Sequence, residues 1–501
     1  MLWCFPAVTG FLLAVTFPKA DQGFLAWIAF VPLIAFVYKS RSPARAFWGG
    51  FIAGAVQLFF LQIWIPSVLA QYGNLSGVLA WLAYGLMLIL LSLFPAAACF
   101  AAKVLIRRGG DFCLISFPFI WIAMEYAQDF FPFGGYPWLL AGYSQSKYLR
   151  LIQIADLVGV FGVSFLILFF NVALFWIGIY RKRGWASAWP LISAAVLIAL
   201  SLLYGTISFS RWDSIQPNFR AAMLQGNISF NDPEGAMIEK IKSGYAQMAD
   251  SLKFPNPDLL VIPESPSPVS FEYDSVYRQS FERLASGFSM GLVFNNIREE
   301  QAEGNARYFN SAYFLGRDGS LEDVYDKMHL VPFGEYIPMK TIFSFSRIIS
   351  KDVSAFSPGS NYRIVKVGDH PANAVICFEI IFPDLVRRFV KKGSQLILNL
   401  TNDGWYGDSS APFQHLSIAR WRAIENRRYL LRAANSGISA IIEPTGRIQT
   451  STGILMQAVC EGRFAFVSQQ TFYTRYGNVF VFLCVIIAFG FFIFNGFRRV
   501  V

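Results

Sequence analysis

The chain of 501 residues is apolar for its length: 55% of its residues are hydrophobic, 15% are charged, and its mean hydropathy is +0.44. Soluble domains carry about 25% charged residues, so this composition argues against a wholly water-soluble protein. The charge is also segregated, because only 14 basic and 5 acidic residues lie outside residues 211–475. The sequence therefore predicts a membrane part joined to a water-soluble part.

The formal net charge of +10 does not indicate a nucleic-acid-binding protein. The excess basic residues lie in short loops between apolar segments, where membrane topology explains them better than a nucleic-acid surface does. The six cysteines show no CxxC spacing and no dense framework, so neither a zinc site nor a disulfide scaffold is predicted. We therefore expect no metal, no cofactor and no nucleic-acid partner.

A membrane-spanning helix needs about 20 mostly apolar residues. The chain offers eight candidate segments, seven before residue 211 and one after residue 475. They are two shorter segments within 1–38, two within 46–102 separated by the polar break Gln71–Ser76, and the segments 112–128, 157–180, 184–210 and 476–497. The predicted domains are a membrane domain at 1–210, an extramembrane domain at 211–475, and an eighth helix with a short tail at 476–501.

The basic residues in the loops predict the orientation of the spans. Cytoplasmic loops of membrane proteins carry an excess of Lys and Arg. With a cytoplasmic N-terminus, eleven basic residues fall on the cytoplasmic side and three on the other side, which favours this orientation. The eleven are Lys39, Arg41, Arg45, Lys103, Arg107, Arg108, Arg181, Lys182, Arg183, Arg498 and Arg499, and the three are Lys19, Lys147 and Arg150. We expect a multi-pass protein of the inner (plasma) membrane with both termini cytoplasmic and residues 211–475 in the periplasm of a Gram-negative cell.

A transporter or channel with a large loop is the alternative for the membrane part. Transporters carry ionisable residues within their spans, whereas these segments are nearly free of them. The membrane part is therefore interpreted as an anchor or a lipid-facing platform.

Within the extramembrane domain, short apolar runs alternate with amphipathic stretches, which predicts a layered α/β fold. The predicted strands are Arg220–Gly226, Leu259–Pro263, Gly291–Asn296, Ser311–Gly316, Ala372–Phe378, Leu396–Leu400 and Gly437–Ile442, and the predicted helices are Glu234–Leu252, Ser275–Ser286, Pro383–Lys392 and Phe413–Arg428. The apolar, Ser-rich insertion Ile337–Pro358 has two interpretations, a mobile flap near the membrane or ordinary packing.

Three residues with catalytic potential lie among such apolar runs. Glu264 lies just past a predicted strand, where a partly buried carboxylate can act as a general base. Lys327 lies among large apolar residues, where it would supply a fixed positive charge for an oxyanion. Cys377 ends a predicted strand and needs a neighbouring base or positive charge to become a nucleophile. Each residue alone is more typical of a structural role, so their order and contexts together carry the prediction.

These contexts resemble the nitrilase, or carbon–nitrogen hydrolase, superfamily, which implies an αββα sandwich and a Glu–Lys–Cys triad at Glu264, Lys327 and Cys377. The whole chain resembles one membrane branch of that superfamily, the apolipoprotein N-acyltransferases. The strongest motifs are KMHLVPFGEYIP at Lys327–Pro338, NLTNDGWYGDSSAPFQHLSIARWRAIEN at Asn399–Asn426, and the segment Tyr429–Ile442. Two departures are visible: Phe378 replaces a Tyr after the cysteine, and the segment Ser229–Glu234 lacks a Trp found after the LQGNI motif.

The resemblance implies a transferase with two substrates and no cofactor. A fatty acyl chain would pass from a membrane phospholipid, through a thioester on Cys377, to the N-terminal amine of diacylglyceryl-cysteine in an apolipoprotein. Glu335 and Glu379 would be supporting carboxylates that position Lys327 and tune its charge. The expected partners are thus the phospholipid donor, the diacylated apolipoprotein acceptor and the membrane, with the protein acting as a monomer.

Two alternative functions belong to other classes of protein. A membrane-tethered amidase of the nitrilase type would hydrolyse a small amide with the same triad, although it would not need eight spans. A catalytically inactive membrane scaffold would need no triad at all. An assay of acyl transfer from lipid to peptide separates the three hypotheses.

Overall fold

The structure is a computed structural model that describes residues 2–73, 75–180, 187–253, 256–264, 267, 269–302, 305–337 and 356–497. The chain forms two compact units. The first contains Met1–Ala70, Ser76–Ser210 and Tyr476–Val501, and the second contains Gln71–Leu75 and Arg211–Arg475.

The first unit is helical. Its helices are α1 (Cys4–Val15), α2 (Ala26–Ala29), α3 (Val31–Lys39), α4 (Pro43–Leu61), α5 (Ile65–Gln71), α6 (Gly77–Gly109), α7 (Phe117–Ala127), α8 (Leu149–Ile152), α9 (Ala155–Tyr180) and α10 (Trp189–Asp213), and the last helix of the chain, Val479–Phe497, also belongs to it. Within the described ranges, α4, α6, α9 and α10 are each long and apolar enough to cross a membrane. The chain is therefore a membrane protein.

A helix lies at each of the eight predicted spans, but several of these helices are short. The first, α1, has 12 residues and α7 has 11. At a rise of 1.5 Å per residue these helices reach about 18 Å and 16 Å, against a hydrocarbon core of about 30 Å. Length and composition thus support four spans directly, and the count of eight stays a prediction.

Local sequence explains where the long helices begin and end. The side chain of Ser42 accepts a hydrogen bond from the backbone N–H of Arg45 and so caps α4, whose first residue is a proline. Ser76 caps α6 in the same way, and Gly110 ends it with a φ of +76°. Tight packing also constrains α4, because a Cβ added at Gly50 would lie 2.3 Å from the carbonyl oxygen of Pro95 in α6.

The second unit is built on two mixed six-stranded sheets. Its strands are β1 (Phe219–Gln225), β2 (Leu259–Val261), β3 (Gly291–Ala302), β4 (Asn305–Leu315), β5 (Leu321–Asp326), β6 (Val365–Val367), β7 (His370–Ile376), β8 (Leu396–Thr401), β9 (Tyr429–Ala434), β10 (Ala440–Ile442), β11 (Ile448–Ser451) and β12 (Ala458–Phe464). The first sheet has the order β12-β1-β2-β3-β4-β5 and the second β11-β10-β9-β8-β7-β6. In each sheet three neighbouring strands are parallel: β1, β2 and β3 in the first, and β7, β8 and β9 in the second.

Helices cover the outer face of each sheet. The first sheet is covered by α12 (Tyr245–Asp250), which follows the short helix α11 (Glu234–Glu239), and by α13 (Ser275–Phe288), and the second by α14 (Pro383–Lys391) and α15 (Ala411–Asn426). The two sheets contact each other through β1 with β9 and β4 with β7. The predicted αββα sandwich is therefore confirmed. A last short helix, α16 (Phe472–Tyr476), leads to α17 (Val479–Phe497).

The element boundaries differ from the prediction where pairing extends a strand. Both β3 and β4 are longer than expected, because they form one antiparallel hairpin. Its pairing runs from Leu292 opposite Leu315 to Ala302 opposite Asn305. The predicted strand ending at Phe378 stops at Ile376, since Cys377 has a φ of +49° and begins a short 3-10 turn. Most of the insertion Ile337–Pro358 lies outside the described residues, at 338–355, so its two interpretations stay open.

We predict that the core beneath α13 controls the stability of the second unit. Phe294 is fully buried and its ring stacks on Phe281 at 4.3 Å between centroids. Replacing Phe294 by Ala should cost about 3–5 kcal/mol, which should lower the thermal midpoint of the full chain in detergent by at least about 6 °C. Tyr273→Ala is the control, because this ring is 62% exposed and its loss should change stability by under about 0.5 kcal/mol. Equal shifts in the two variants would contradict this packing.

Candidate active site

Glu264, Lys327 and Cys377 each follow the carboxyl end of a strand. Glu264 comes three residues after β2, and Lys327 comes directly after β5 in the same sheet. Cys377 comes directly after β7 in the facing sheet. The structure brings the three side chains together, because the charges of Glu264 and Lys327 both act on the Cys377 thiol and the charge of Lys327 also acts on Glu264.

An amide that the sequence analysis did not single out links the carboxylates. The Nδ2 of Asn310, in β4, donates to Glu264 Oε1 at 2.8 Å and to Glu335 Oε1 at 2.7 Å. That same oxygen of Glu335 accepts from Lys327 Nζ at 2.9 Å. The other oxygen of Glu264 accepts from the backbone N–H of Asn402 at 3.0 Å. One amide thus links Glu264 and Glu335, and each carboxylate also accepts from a second donor.

The ammonium of Lys327 is 1% exposed, so its charge needs compensation. Burial alone would lower the pKa of Lys327, but the negative charges of Glu335 and Glu264 outweigh burial and hold that pKa above its ordinary value. Burial raises the pKa of Glu264, and the charge of Lys327 opposes that rise. The site therefore holds a charged lysine beside a carboxylate that is a stronger base than an exposed glutamate.

The backbone at Cys377 is strained in a way that aims its side chain. A φ of +49° is uncommon for a residue with a side chain and is found where surrounding structure enforces it. Burial raises the pKa of the Cys377 thiol well above its ordinary value, the charge of Glu264 raises it further, and Lys327 opposes both. The resting sulfur is therefore a thiol that needs a base at the moment of attack.

Glu379 connects the segment after β5 with the segment before the cysteine. Its Oε1 accepts from the backbone N–H of Met328 at 2.8 Å and from the hydroxyl of Tyr325 at 2.8 Å. Its Oε2 accepts from the backbone N–H of Ile376 at 2.7 Å. This buried carboxylate thus fixes the chain next to Lys327 and next to Cys377, and its contacts are with backbone and a hydroxyl, not with the ammonium itself.

Phe378 packs into an aromatic group instead of offering a hydroxyl. Its ring lies 5.2 Å from Phe382 and 5.9 Å from His329. Burial and the charge of Lys327 lower the pKa of His329 to about 4, so this imidazole is neutral near pH 7. The residue at position 378 therefore supplies an apolar wall beside the nucleophile.

A second buried network lies close enough to Cys377 for the charge of Asp403 to act on its thiol. Asp403 Oδ1 lies 3.0 Å from Nδ1 of His415, and Asp403 Oδ2 accepts from Arg432 at 2.6 Å. Burial and the charge of Arg432 lower the pKa of His415, whereas Asp403 and the nearby backbone of Cys377 oppose that decrease. Burial opposes the charge of Asp403, but Arg432 and His415 outweigh it and lower the Asp403 pKa to about 2. The fully buried charges of Asp403 and Arg432 are thereby paired with each other near Cys377.

The segment that lacks the family's Trp supplies a different aromatic ring. Phe230 lies 4.4 Å from Trp405, and Tyr72 lies 4.7 Å from the same ring. The hydroxyl of Tyr72 donates to the backbone oxygen of Gly404 at 3.2 Å. These three rings form an aromatic cluster next to Asn402, whose backbone holds Glu264.

Sequence reasoning missed Asn310, Asp403, His415 and Arg432. Asn310 lay one residue before a predicted strand, and its role depends on the antiparallel pairing that places β4 beside β5. The other three lie within the motifs quoted for the resemblance, but nothing in their spacing shows that they converge. In the described part of the chain, no cluster of three or more His, Cys, Asp and Glu side chains has the arrangement of a metal site.

Comparison with known proteins identifies the family. Residues 9–173 match the family model "Apolipoprotein N-acyltransferase N-terminal domain", and residues 220–456 match the model "Carbon-nitrogen hydrolase". A curated relative from Geobacter metallireducens, named apolipoprotein N-acyltransferase, is 37% identical over 95% of this chain and 92% of its own length. Another of that name, from Chlorobaculum tepidum, is 30% identical over 96% of this chain and 94% of its own length.

Among solved structures, an amidase from Nesterenkonia sp. aligns with a TM-score of 0.39 and 21% identity, over 52% of this chain and 94% of the amidase. The curated relatives cover both units, whereas this alignment covers about half of the chain. With 37% identity across nearly its full length, the chain belongs to the apolipoprotein N-acyltransferase family.

Proposed function

We propose that this protein transfers a fatty acyl chain from a membrane phospholipid to the N-terminal α-amine of diacylglyceryl-cysteine in apolipoproteins. The observation that carries the proposal is the convergence of a buried thiol, carboxylate and ammonium in a chain of this family. The proposed catalytic residues are Cys377, Glu264 and Lys327, with Glu335 and Glu379 as positioning carboxylates.

In the first half of the reaction, the sulfur of Cys377 attacks the ester carbonyl carbon of the phospholipid while Glu264 takes the thiol proton. The resulting oxyanion is stabilised by the ammonium of Lys327 together with backbone N–H groups. Collapse of this intermediate breaks the ester C–O bond, and the leaving lysophospholipid oxygen takes the proton back from Glu264. A thioester remains on Cys377.

In the second half, the uncharged α-amine of the lipoprotein attacks the thioester carbonyl. Glu264 removes a proton from the attacking nitrogen and returns it to the departing sulfur of Cys377, so the free thiol is regenerated. The net result is an amide on the lipoprotein and no change in the enzyme. The apolar wall at Phe378 and the burial of the site favour an amine over water at the thioester, because a water-poor pocket lowers the rate of hydrolysis.

The proposed membrane arrangement follows the basic loops. Residues 1–210 would form seven spans and residues 476–501 an eighth span with a short tail, with both termini cytoplasmic. The catalytic domain at 211–475 would then lie in the periplasm of a Gram-negative cell, where lipoprotein substrates are exposed. All proposed catalytic residues come from one chain, so a monomer suffices.

We predict that Cys377 carries the acyl group. After exposure to phospholipid vesicles, the intact mass of the wild-type protein should rise by one acyl chain, and Cys377→Ala should show no such adduct. Glu264→Gln and Lys327→Ala should each slow adduct formation by about 10²-fold or more, the usual scale for loss of a general base or an oxyanion donor.

Cys460→Ala is the matched control for the thiol, because Cys460 is a buried cysteine on β12. This variant should keep the adduct. A hydroxylamine-sensitive adduct that persists in Cys377→Ala would refute the assigned nucleophile, and a loss below threefold in the other two variants would refute their roles.

We predict that Asn310 sets the pH dependence of acylation. Its amide lowers the pKa of Glu264 by hydrogen bonding, so Asn310→Ala should raise that pKa. Only the deprotonated carboxylate accepts the thiol proton, so the acid limb of the acylation rate should move to higher pH in this variant. The measurement is the rate of adduct formation from about pH 4 to pH 9.

Asn373→Ala serves as the control for that experiment. Asn373 is also fully buried in a strand, and its side chain accepts from Ser394 instead of contacting the carboxylates. In Asn373→Ala, the acid limb of the acylation rate should lie at the same pH as in the wild-type protein. If the acid limb of Asn310→Ala also lies at the wild-type pH, the amide of Asn310 does not lower the pKa of Glu264.

Transfer to a lipid-modified peptide separates the proposed activity from its alternatives. With phospholipid and a peptide bearing N-terminal diacylglyceryl-cysteine, the wild-type protein should yield an N-acylated peptide. Release of free fatty acid or cleavage of a small amide without transfer would indicate a hydrolase. Absence of both products and of the adduct would indicate a scaffold.

We predict that, in intact spheroplasts, residue 320 is accessible to a membrane-impermeant reagent and residue 41 is not. Ser320 and Arg41 are both exposed positions, and the proposed topology places them on opposite sides of the membrane. Cysteines introduced as Ser320→Cys and Arg41→Cys, in a Cys4→Ser background, should react with a membrane-impermeant maleimide in spheroplasts only at position 320. Both cysteines should react after permeabilisation. Labelling of position 41 alone in intact spheroplasts would show that the protein has the opposite orientation in the membrane.

A further inference from the structure

A groove of about 600 Å³ lies within the first unit, and every residue that lines it belongs to that unit. Its volume lies within the roughly 300–1,000 Å³ range of small-molecule sites. The lining combines two cations with aromatic and aliphatic side chains: Lys147, Arg150, Trp27, Tyr148, Ile198 and Leu202. None of these residues takes part in the proposed acyl transfer.

The cationic end of the groove has charge available for a ligand. Lys147 lies 3.6 Å from the carboxylate of Asp21, which partly neutralises it. Among the described residues, no side chain pairs with the guanidinium of Arg150, which is exposed. Guanidinium groups bind phosphate oxygens in a bidentate manner. This end of the groove is therefore suited to a phosphate group.

The aliphatic wall extends from the cationic end along helix α10. Gly205 of α10 packs against the backbone of Arg150, because a Cβ added there would lie 1.7 Å from its carbonyl oxygen. Leu202 lies about one turn from Gly205 and Ile198 about two turns, both toward the middle of this long apolar helix. From the point where α10 packs on the backbone of Arg150, the wall therefore runs about 10 Å along α10, toward the middle of a helix that is long and apolar enough to cross a membrane.

The aromatic residues mark the depth of the groove in the membrane. Trp and Tyr side chains concentrate where the headgroups meet the hydrocarbon, and Trp27 and Tyr148 line the groove beside the cations. Trp27 is fixed there by its indole N–H, which donates to the buried Gln145 side chain at 3.1 Å. The groove thus combines cations, interfacial aromatics and an aliphatic wall, which suit a phosphate, a glycerol ester and an acyl chain respectively.

We propose that this groove binds one membrane phospholipid, with its phosphate on Arg150 and Lys147 and an acyl chain along Leu202 and Ile198. The site is separate from the proposed acyl transfer and does not rest on it. The required chemistry is a phosphodiester joined to an acyl chain, and neither part alone satisfies both ends of the groove.

Native mass spectrometry of the delipidated full chain in detergent tests the proposal. The protein should carry Cys377→Ala, so that no covalent acyl adduct changes its mass, and the probe is dipalmitoyl phosphatidylglycerol. One lipid should bind with saturable affinity. Removing one cation should weaken binding about fivefold in Arg150→Gln and about thirtyfold in Lys147→Gln/Arg150→Gln, since each basic residue near a lipid surface contributes on the order of 1 kcal/mol.

Two further variants separate the site from general effects. Leu202→Trp fills the aliphatic wall and should weaken binding while both cations remain. Lys19→Gln removes another exposed basic residue that does not line the groove, and should leave the affinity unchanged. Thermal midpoints of all variants, measured in the same detergent, show that each is folded.

Two competitors test the ligand chemistry. Dipalmitoylglycerol lacks the phosphate and glycerol 1-phosphate lacks the chains, so neither should displace the bound phospholipid at equal concentration. Displacement by glycerol 1-phosphate would show an anion site only, and displacement by dipalmitoylglycerol would show an apolar groove only. Either result, or equal affinity in the double variant and in Lys19→Gln, overturns the proposal.

Discussion

The buried ammonium of Lys327 is the constraint on which the second unit depends. A cation that is 1% exposed would be expelled or neutralised unless negative charge surrounded it. Glu335 supplies a direct ion pair, and the charge of Glu264 adds to it. Because one amide hydrogen-bonds to both carboxylates, removing any member of this group leaves a buried charge or donor without its partner.

The residues of this site come from both sheets of the second unit. The lysine and Glu264 follow strands of the first sheet, whereas the cysteine follows a strand of the second. Glu379 joins the two by accepting from backbone N–H groups on either side, at Met328 and at Ile376. The relative position of Cys377 and Lys327 is therefore fixed by a buried side chain that hydrogen-bonds to the backbone next to each of them.

The sequence was informative where chemistry and periodicity are local. Helices such as α13 and α14 and strands such as β1 and β8 were predicted within a few residues, because apolar periodicity, caps and turn residues act over short distances. The strands β5, β6, β9, β11 and β12 were not predicted. In β9 a charged residue, Arg432, interrupts the apolar run, and its buried charge is paired with Asp403, 29 positions away, while Asn399 and the backbone oxygen of Ile438 accept further hydrogen bonds.

The role of Asn310 shows the same limit within the site. A single asparagine next to an apolar strand has no local signal that distinguishes a catalytic neighbour from a turn residue. Its function arises because β4 pairs with β5, so that its backbone oxygen accepts from Lys327 N–H at 2.9 Å while its side chain reaches two carboxylates. The role of such a residue can be recognised only when the pairing register of the strands is known, since the register decides which side chains share a face of the sheet.

The resting state of Cys377 links this electrostatic arrangement to the proposed chemistry. Burial and the neighbouring Glu264 keep the sulfur protonated, and oxidation of cysteine follows thiolate character and exposure. A buried thiol is therefore protected while no substrate is present. Attack then requires a base, and burial that raises the pKa of Glu264 makes this carboxylate a better acceptor for the thiol proton. The fixed charge of Lys327 opposes the rise in the thiol pKa, and in the proposed reaction it would also stabilise the negative charge that develops on the substrate oxygen.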